Sequence, residues 1–456
     1  MKTKKNIIYC LIALAVFIQA SANEKDEILY LSLPQACQLA IDSNLIIKNA
    51  KLSILKSKYL QSEFKSKLYP QLEGYSDLLN YYQIPKMMMP GELFGGTGQI
   101  AMEMGTKYDW SSGFRASMKL FDLSYLTSIK VANMEKKICD LGLIQKKEEI
   151  VYQLSQVYYL CLSTKYQKDY LNQNLQNTDH LLEILKAQNE NGLARKIDYS
   201  KVMVTRNNLQ TQIDNLSQLF NKQIGMLKYL MGINALNIIE LTDTASLEIS
   251  ADSLALLIKK GNTQDDYNTL TDIKVLDNRI ETIALNKKGL LKSYFPTLSG
   301  NGTFLFQGQQ NEFNFFDGQS DRFFKVGYLG LSVSLPLFDG FEKHSKLLQY
   351  NVELQQLKNS RKNAIENIKK DYIDAVNQFN NSVTTIMRQK ENIKIAEQDY
   401  SIGLAGFTQQ TVLLSDLILS ENSLTEARLS YVDSWLQLKN ADLEVKKVKG
   451  ELINKL

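Results

Sequence analysis

The amino-acid sequence predicts an α+β fold built by internal duplication, in which amphipathic strands alternate with very long helices. Short motifs occur twice in the same order, and four segments of about ten residues alternate apolar and polar side chains. Two long stretches have a helical pattern, and only 6 prolines occur in 456 residues, which favours long uninterrupted elements. About ten residues is the length that a tilted membrane strand requires.

The start of the chain has the pattern of a secretory signal peptide. Lys2, Lys4 and Lys5 form a basic beginning, an apolar stretch follows from residue 7 to 18, and Ala20-Ser21-Ala22 is a small-residue cleavage site. We therefore expect residues 1–22 to be removed. The formal net charge of the whole chain is only +4, so losing three lysines leaves it close to neutral. The mature chain thus offers no electrostatic case for nucleic-acid binding.

Beyond this segment, no uninterrupted apolar run reaches the ~20 residues that a membrane-spanning helix needs. Two interpretations remain open at this point: a soluble periplasmic or secreted protein, or a membrane β-barrel, whose signal per strand is weak. The remaining cysteines, Cys37, Cys139 and Cys161, are scattered on helical patterns, so we interpret them as small core residues rather than a disulfide framework.

The duplicated motifs divide the mature chain into two repeats. Aromatic-Pro-x-Leu, Leu-Phe-Asp and Gly-Leu-Ala motifs begin in the first copy at Tyr69, Leu120 and Gly192, and in the second at Phe295, Leu337 and Gly403. We predict a first repeat at 23–232 and a second at 271–456, each with a helix, two strands and a long helical hairpin. Residues 233–270 lose the heptad pattern and are expected to form a small equatorial subdomain beside the helices.

Each repeat is expected to open with a helix and to continue with strands. Ser32 and Gln35 have capping-box spacing at the start of the first helix, and Pro70 is expected to end it beyond about Leu68. The strands alternate an apolar face with a polar or small face, although the phase of residues 71–82 is ambiguous. Aromatic residues crowd the strand ends, which suits a membrane-interface girdle or, alternatively, the core of a soluble β-domain. They are Tyr75, Tyr81, Tyr82, Tyr108, Trp110, Phe323, Phe324 and Tyr328.

The two helical stretches run from Asp122 to Gly232 and from Asp339 to Leu456. Each is predicted to break once, at Gly192 or Gly403, into a hairpin. A helix of ~50 residues reaches ~75 Å, which no globular core can bury, so it must pack against its hairpin partner and other subunits. Coiled-coil 4-3 spacing marks such a seam at Leu413, Leu417, Ser420, Leu424, Ala427 and Tyr431.

These motifs together resemble those of the TolC-like outer-membrane efflux family over nearly all of the mature chain. The paired motifs are joined by an opening with Leu31-Ser32-Leu33, Ala36, Leu39-Ala40 and Asn44. The resemblance implies a homotrimer in which each subunit gives four strands to a twelve-stranded transmembrane β-barrel in outer-membrane lipid. Its helices would form a long periplasmic coiled-coil barrel. The residues agree, because four strands are too few to close a barrel and an open edge cannot lie in lipid.

The resemblance also implies where the periplasmic tips lie. The turns at Gly192, Leu193 and Ala194 and at Gly403, Leu404 and Ala405 are expected to contact a periplasmic adaptor (membrane fusion) protein. Small side chains allow two helix ends to approach closely. Alternatively, the glycines only allow a left-handed turn.

Three further residues are expected at the tunnel aperture: Asp198, Tyr400 and Gln409. Asp198 matches an acidic family position six residues after the first glycine, or else it caps the returning helix. In the second copy, Gln409 and Val412 replace the acids that the family's prototype carries, whereas Tyr400 fits the pattern. We therefore expect a steric or hydrogen-bonded gate rather than a cation-binding acidic ring.

No motif indicates catalysis, a cofactor or a metal. His180 and His344, the 2 histidines, have no metal-ligand partner at helical spacing. The predicted function is the outer-membrane channel of a tripartite efflux pump in a Gram-negative bacterium, which passively exports small molecules delivered by an inner-membrane transporter and a periplasmic adaptor. Two alternatives remain: the exit duct of a type I protein or peptide secretion system, and, in a different class, a secreted coiled-coil structural protein.

Overall fold

The computed structural model describes residues 28–95, 97–191, 195–242, 267–316 and 323–453, which form two compact units. The predicted signal segment lies outside the described residues. Each unit draws on both halves of the chain. The helical unit takes the residues up to Leu52 with Leu141–Val275 and Arg361–Leu456, and the sheet unit takes Ser53–Asp140 and Leu276–Ser360.

The strands and helices follow one another in duplicated order. The strands are β1 (Leu29–Leu31), β2 (Gln71–Asn80), β3 (Lys86–Pro90), β4 (Gln99–Glu103), β5 (Tyr108–Phe121), β6 (Ile239–Leu241), β7 (Thr297–Gln310) and β8 (Phe323–Ser334). The helices are α1 (Leu33–Ser43), α2 (Leu45–Ser66), α3 (Leu123–Glu190), α4 (Lys196–Met231), α5 (Thr271–Lys292), α6 (Glu342–Thr408) and α7 (Leu414–Val448). With 68 and 67 residues, α3 and α6 are longer than the ~50 residues expected.

The predicted first helix is in fact two helices, which the sequence pattern did not indicate. The capping box is present, because Gln35 Oε1 accepts a hydrogen bond from the Ser32 backbone N–H at 2.9 Å. The chain then breaks at Asn44, whose backbone is extended at φ −60° and ψ 131°. Its side chain, only 3% exposed, accepts from the Ile46 N–H and donates to the Leu230 carbonyl, both at 2.7 Å. Asn44 thus caps α2 and joins it to the end of α4.

The helical unit has its main core where α1, α3, α4, α6 and α7 meet. Its largest fully buried side chains include Tyr158 and Trp435, and the short strands β1 and β6 pair in parallel beside it. Cys37 and Cys161 lie in this core, as predicted, and burial raises the pKa of the Cys37 thiol to about 11. These thiols are therefore protonated core residues.

The sheet unit contains one four-stranded antiparallel sheet in the order β2-β5-β7-β8. The pairing of β5 with β7 joins the two copies in the middle of the sheet, so β2 and β8 form its edges. In the connection between β2 and β5, β3 and β4 form a separate small hairpin. Within the ranges given above, no helix is both long and apolar enough to span a membrane.

Candidate functional site

The register of the four-stranded sheet gives it two chemically different faces. Cross-strand partners share a face, so the pairs Leu72↔Ala116↔Gly302↔Leu329 and Phe114↔Phe304 place apolar and small residues together. This apolar face is largely exposed, with Leu329 at 93%. Its other members include Leu78, Trp110, Met118, Leu298, Phe306, Phe323, Leu331 and Val333. Lys325 also lies on this face, near its aromatic end, with its Nζ 5.7 Å from the ring centre of Phe306.

The opposite face is polar and its side chains contact one another across strands. Gln307 Nε2 donates to both carboxylate oxygens of Asp109, at 2.8 and 3.0 Å, and Gln309 Nε2 donates to the same group at 3.1 Å. The Arg115 guanidinium lies 4.6 Å from the ring centre of Tyr75. The register also removes the ambiguity of residues 71–82, since the acids of β2 lie on this face. Its charged members are Glu73, Asp77, Asp109, Arg115 and Lys119.

Aromatic rings cluster at the end of the sheet where β7 and β8 are joined. Trp110 lies 5.5 Å from Phe315, 5.4 Å from Phe316 and 5.8 Å from Phe323, measured between ring centres. Its indole N–H donates to the Ser76 hydroxyl at 2.9 Å. Phe316 remains 76% exposed, so the cluster presents rings outward rather than enclosing them all.

The end of the first helical hairpin lies between α3 and α4. Gly192, Leu193 and Ala194 fall outside the described residues. On the returning side, Nε and Nη2 of Arg195 donate to the two carboxylate oxygens of Asp198, at 2.8 and 3.1 Å. Asp198, whose side chain is 14% exposed, stands in the first turn of α4, where an acid complements the helix dipole.

The end of the second hairpin is not where the sequence placed it. Gly403, Leu404 and Ala405 are helical residues of α6, and the chain turns at residues 409–413, so the predicted break at Gly403 is wrong. The turn uses Gln410, which adopts a left-handed φ of 61°. Gly406 allows it, because a Cβ there would lie 2.4 Å from Val412 Cγ2. The Gly406 carbonyl also accepts from the N–H groups of Thr411 and Val412.

Gly403 has a different structural role from the one expected. A Cβ at Gly403 would lie 3.1 Å from Ser420 Oγ and 3.7 Å from Leu417 Cδ1. Its missing side chain therefore allows α6 and α7 to approach closely just before the turn.

The two hairpin ends border a groove of about 940 Å³ in the helical unit. The groove is lined at the start of α4 by Arg195, Asp198 and Lys201. On the other side it is lined by Phe407 at the end of α6 and by Gln410 in the second turn. Of the predicted aperture residues, only Asp198 lies here. Gln409 is exposed on the turn, and Tyr400 is half-buried in an apolar cluster with Leu182, Val202 and Leu417.

Sequence reasoning missed Glu421, the buried carboxyl beside Tyr400. Glu421 is 7% exposed, and its Oε1 accepts no hydrogen bond from the described residues. Burial raises its pKa to about 7. Burial, and then the charge of Glu421, raise the pKa of Tyr400 to about 12. The sequence signal was present, since Glu421 follows Leu417 by four residues and precedes Leu424 by three, which is seam spacing.

The two histidines lie apart from these surfaces. His180 is an exposed residue of α3 whose Nδ1 lies 3.8 Å from a Glu183 carboxylate oxygen, and His344 stands in the first turns of α6. In the part of the chain that the structure describes, no three His, Cys, Asp or Glu side chains are grouped as metal ligands.

Comparison with known proteins assigns the fold. No family model matches the sequence, and no curated protein matches it either. Three solved structures illustrate the structural likeness. CusC, a protein that forms a transmembrane channel, is 13% identical with a TM-score of 0.72 over 94% of each chain. VceC, an outer membrane protein of Vibrio cholerae, is 14% identical with a TM-score of 0.68 over 92% of this chain and 96% of that one. The MtrE outer membrane channel of Neisseria gonorrhoeae is 13% identical with a TM-score of 0.67 over 92% and 89%.

The chain therefore has the α+β fold of outer-membrane channels. At the level of the fold, the predicted resemblance to the TolC-like outer-membrane efflux proteins is confirmed.

Proposed function

We propose that this chain is the outer-membrane channel of a tripartite efflux system in a Gram-negative bacterium, and that it exports small molecules passively. The observation that carries the proposal is the four-stranded sheet, which combines an exposed apolar face, a polar face and two edges. In a barrel shared by three copies, the apolar face meets lipid and the polar face lines the lumen. The outward aromatic cluster around Trp110 suits the membrane interface.

The energetic cost of open sheet edges in lipid supports a closed assembly. Within the described residues, β2 and β8 each pair with a single neighbour. Every second residue of the 10-residue strand β2 directs its N–H and C=O outward at this edge. At several kcal/mol for each unsatisfied group, an open edge would cost roughly tens of kcal/mol in lipid. A homotrimer removes this cost by pairing the edges of neighbouring copies.

The hairpin ends are the proposed contact with a periplasmic adaptor that links the channel to an inner-membrane transporter. Leu404 and Ala405 are exposed on the last turns of α6, and Gly403 lets the hairpin close tightly beneath them. They are the described part of the proposed adaptor-contact surface, whose other predicted residues, Gly192, Leu193 and Ala194, lie outside the described residues.

The proposed aperture lacks a free acidic ring. Two guanidinium nitrogens of Arg195 bind the Asp198 carboxylate, and Gln409 stands in the second repeat where the family's prototype carries an acid. The proposed gate is therefore steric or hydrogen-bonded, with Tyr400 supporting it. Conductance in planar bilayers should then respond little to divalent cations. Blockade at low concentrations of divalent cation would contradict this gate.

The channel is tested by fractionation and function together. A heat-modifiable trimer in the outer-membrane fraction, loss of which sensitises cells to dyes or bile salts, is the expected result. Recovery as a soluble periplasmic protein would instead indicate a coiled-coil structural protein, and loss of an exported polypeptide without dye sensitivity would indicate a secretion duct. Crosslinking from Ala405→Cys, with Glu426→Cys as an exposed control away from the turn, should capture the adaptor.

A further inference from the structure

We propose that Glu421 and the polar side chains around it form a proton-sensitive joint between α6 and α7, closely packed when the carboxyl is protonated and loosened by water when it is ionised. The proposal rests on the proposed channel function only for its effect on conductance. It concerns the contact just before the second hairpin turn, where Gly403 faces Ser420.

Glu421 lies inside the helical unit, between α7 and α3. Asn174 Nδ2 of α3 donates to Thr425 Oγ1 of α7 at 2.6 Å, and Leu182 and Leu417 share one apolar cluster. Because α3 and α7 are antiparallel, these pairs place Thr178 opposite Glu421. Thr178 is buried, but its hydroxyl donates to the Asn174 carbonyl at 2.9 Å within its own helix. A polar layer thus separates the apolar cluster around Leu417 from the next one.

Among the described residues, no cation is paired with Glu421 to neutralise its ionised form. From α6, the facing ionisable group is Tyr400, which bears no charge at neutral pH. From α7 itself, Arg428 is directed to Glu397 of α6 at 3.0 Å. From α3 and α4, Asp179 and Arg206 pair with each other at 3.0 Å. Both arginines already pair with a carboxylate, so ionised Glu421 must be stabilised by water.

Assembly with other copies cannot relieve the burial of Glu421. Glu421 is already buried within a single chain, and contact with other copies can only remove more solvent. Its pKa of about 7 lies where external pH changes the charge of a periplasmic protein. Because Gly403 and Ser420 bring α6 and α7 into close contact beside Glu421, water that solvates the ionised carboxyl must separate these two helices. Ionisation therefore loosens the end of the second hairpin, and acidification tightens it.

Hydrogen–deuterium exchange of the full-length assembled protein in detergent tests the joint. Wild type, Glu421→Gln and the matched control Glu426→Gln, an exposed glutamate on the same helix, are compared at about pH 5.5 and about pH 8.5. After correction for intrinsic rates, peptides covering residues 397–428 of wild type and of the control should exchange at least about tenfold faster at the higher pH. Glu421→Gln should stay protected at both.

Several outcomes would overturn the joint. One is that hydrogen exchange in Glu421→Gln responds to pH as it does in wild type. Another is that the second hairpin of wild type exchanges its amide hydrogens at the same corrected rate at both pH values. If Glu421→Gln fails to fold, Glu421→Met provides an apolar side chain of similar length. The infrared band of the protonated carboxyl must also disappear from wild type on raising the pH and be missing from the folded variant.

Conductance of the same samples separates the two proposals. Channels of wild type that open more often at the higher pH, with no such response in Glu421→Gln, support both. An absence of conductance in every sample would reject the channel, while the exchange data would still decide on the joint.

Discussion

Replacing Leu329 by arginine tests the apolar sheet face directly. Leu329 stands near the middle of β8, and in the isolated chain it is 93% exposed and covers Gly302. On a soluble protein, such a surface change would alter the free energy of unfolding by no more than about 0.5 kcal/mol. At the middle of a lipid-facing strand, an arginine costs about 2–4 kcal/mol. That cost is a factor of about 30 to about 1,000 in the ratio of folded to unfolded protein.

Tyr328→Arg is the matched control, because Tyr328 is the neighbouring residue on the opposite, polar face. The assay is urea unfolding of both variants in lipid vesicles, followed by the heat-modifiable shift on gels, and the folded fraction in outer membranes is the cellular readout. Leu329→Arg should lose stability while Tyr328→Arg stays close to wild type. If the two variants are equally stable, or if Tyr328→Arg is the weaker one, the assignment of the faces is refuted.

Three other predictions follow from single positions. Gly406→Ala should destabilise the protein by about 1–3 kcal/mol, because the added Cβ would clash with Val412. Its control, Gly225→Ala, has open space around it in α4 and should be neutral or stabilising by up to about 1 kcal/mol. Equal unfolding midpoints of the two variants in denaturant would contradict the turn geometry. Asn44→Ala should lower the free energy of unfolding by about 1–3 kcal/mol, because it removes a buried hydrogen bond and the α2 cap. Asn191→Ala, at an exposed helix end, should lower it less. A melting temperature that Asn44→Ala leaves unchanged would contradict the capping role of Asn44. Burial raises the folded-state pKa of Glu421 from 4.5 to about 7, so its contribution to the free energy of unfolding is fully present below about pH 4.5 and is lost as pH rises through about 7, a change of about 3 kcal/mol. Glu421→Gln should remove this part of the pH dependence of stability. If the variant's stability changes with pH in parallel with wild type, another group titrates.

The sequence was sufficient where a period repeats over many residues. Alternation over about ten residues located the strands of the large sheet, and heptads located the hairpins, because one misplaced residue hardly changes such patterns. The sheet order and register were not predictable in the same way. They depend on pairing between the two copies, as in β5 with β7, which no local pattern encodes.

The hairpin end shows where single residues mislead. Gly403 was expected to turn the chain because glycine often does, yet glycine also permits close helix contact, and only the position of Ser420 distinguishes the two uses. The turn itself depends on Gly406 and on a left-handed Gln410, an unusual residue for that conformation. The same limit hid Glu421, since Ser420 and Glu421 fit the seam spacing equally well and a charged side chain is rarely placed inside.

The even number of strands in the sheet has a consequence for how copies join. Neighbouring strands alternate in direction across the sheet, so β8 runs opposite to β2. When the last strand of one molecule meets the first strand of the next, the up-and-down order continues without interruption across the junction. These two edges come from different repeats, so copies that pair through them would join head to tail, and such contacts either close into a ring or continue as an open filament. The duplicated sequence thus provides a directional unit in which pairing of β8 with the β2 of another copy would continue the antiparallel hydrogen-bond pattern of the sheet.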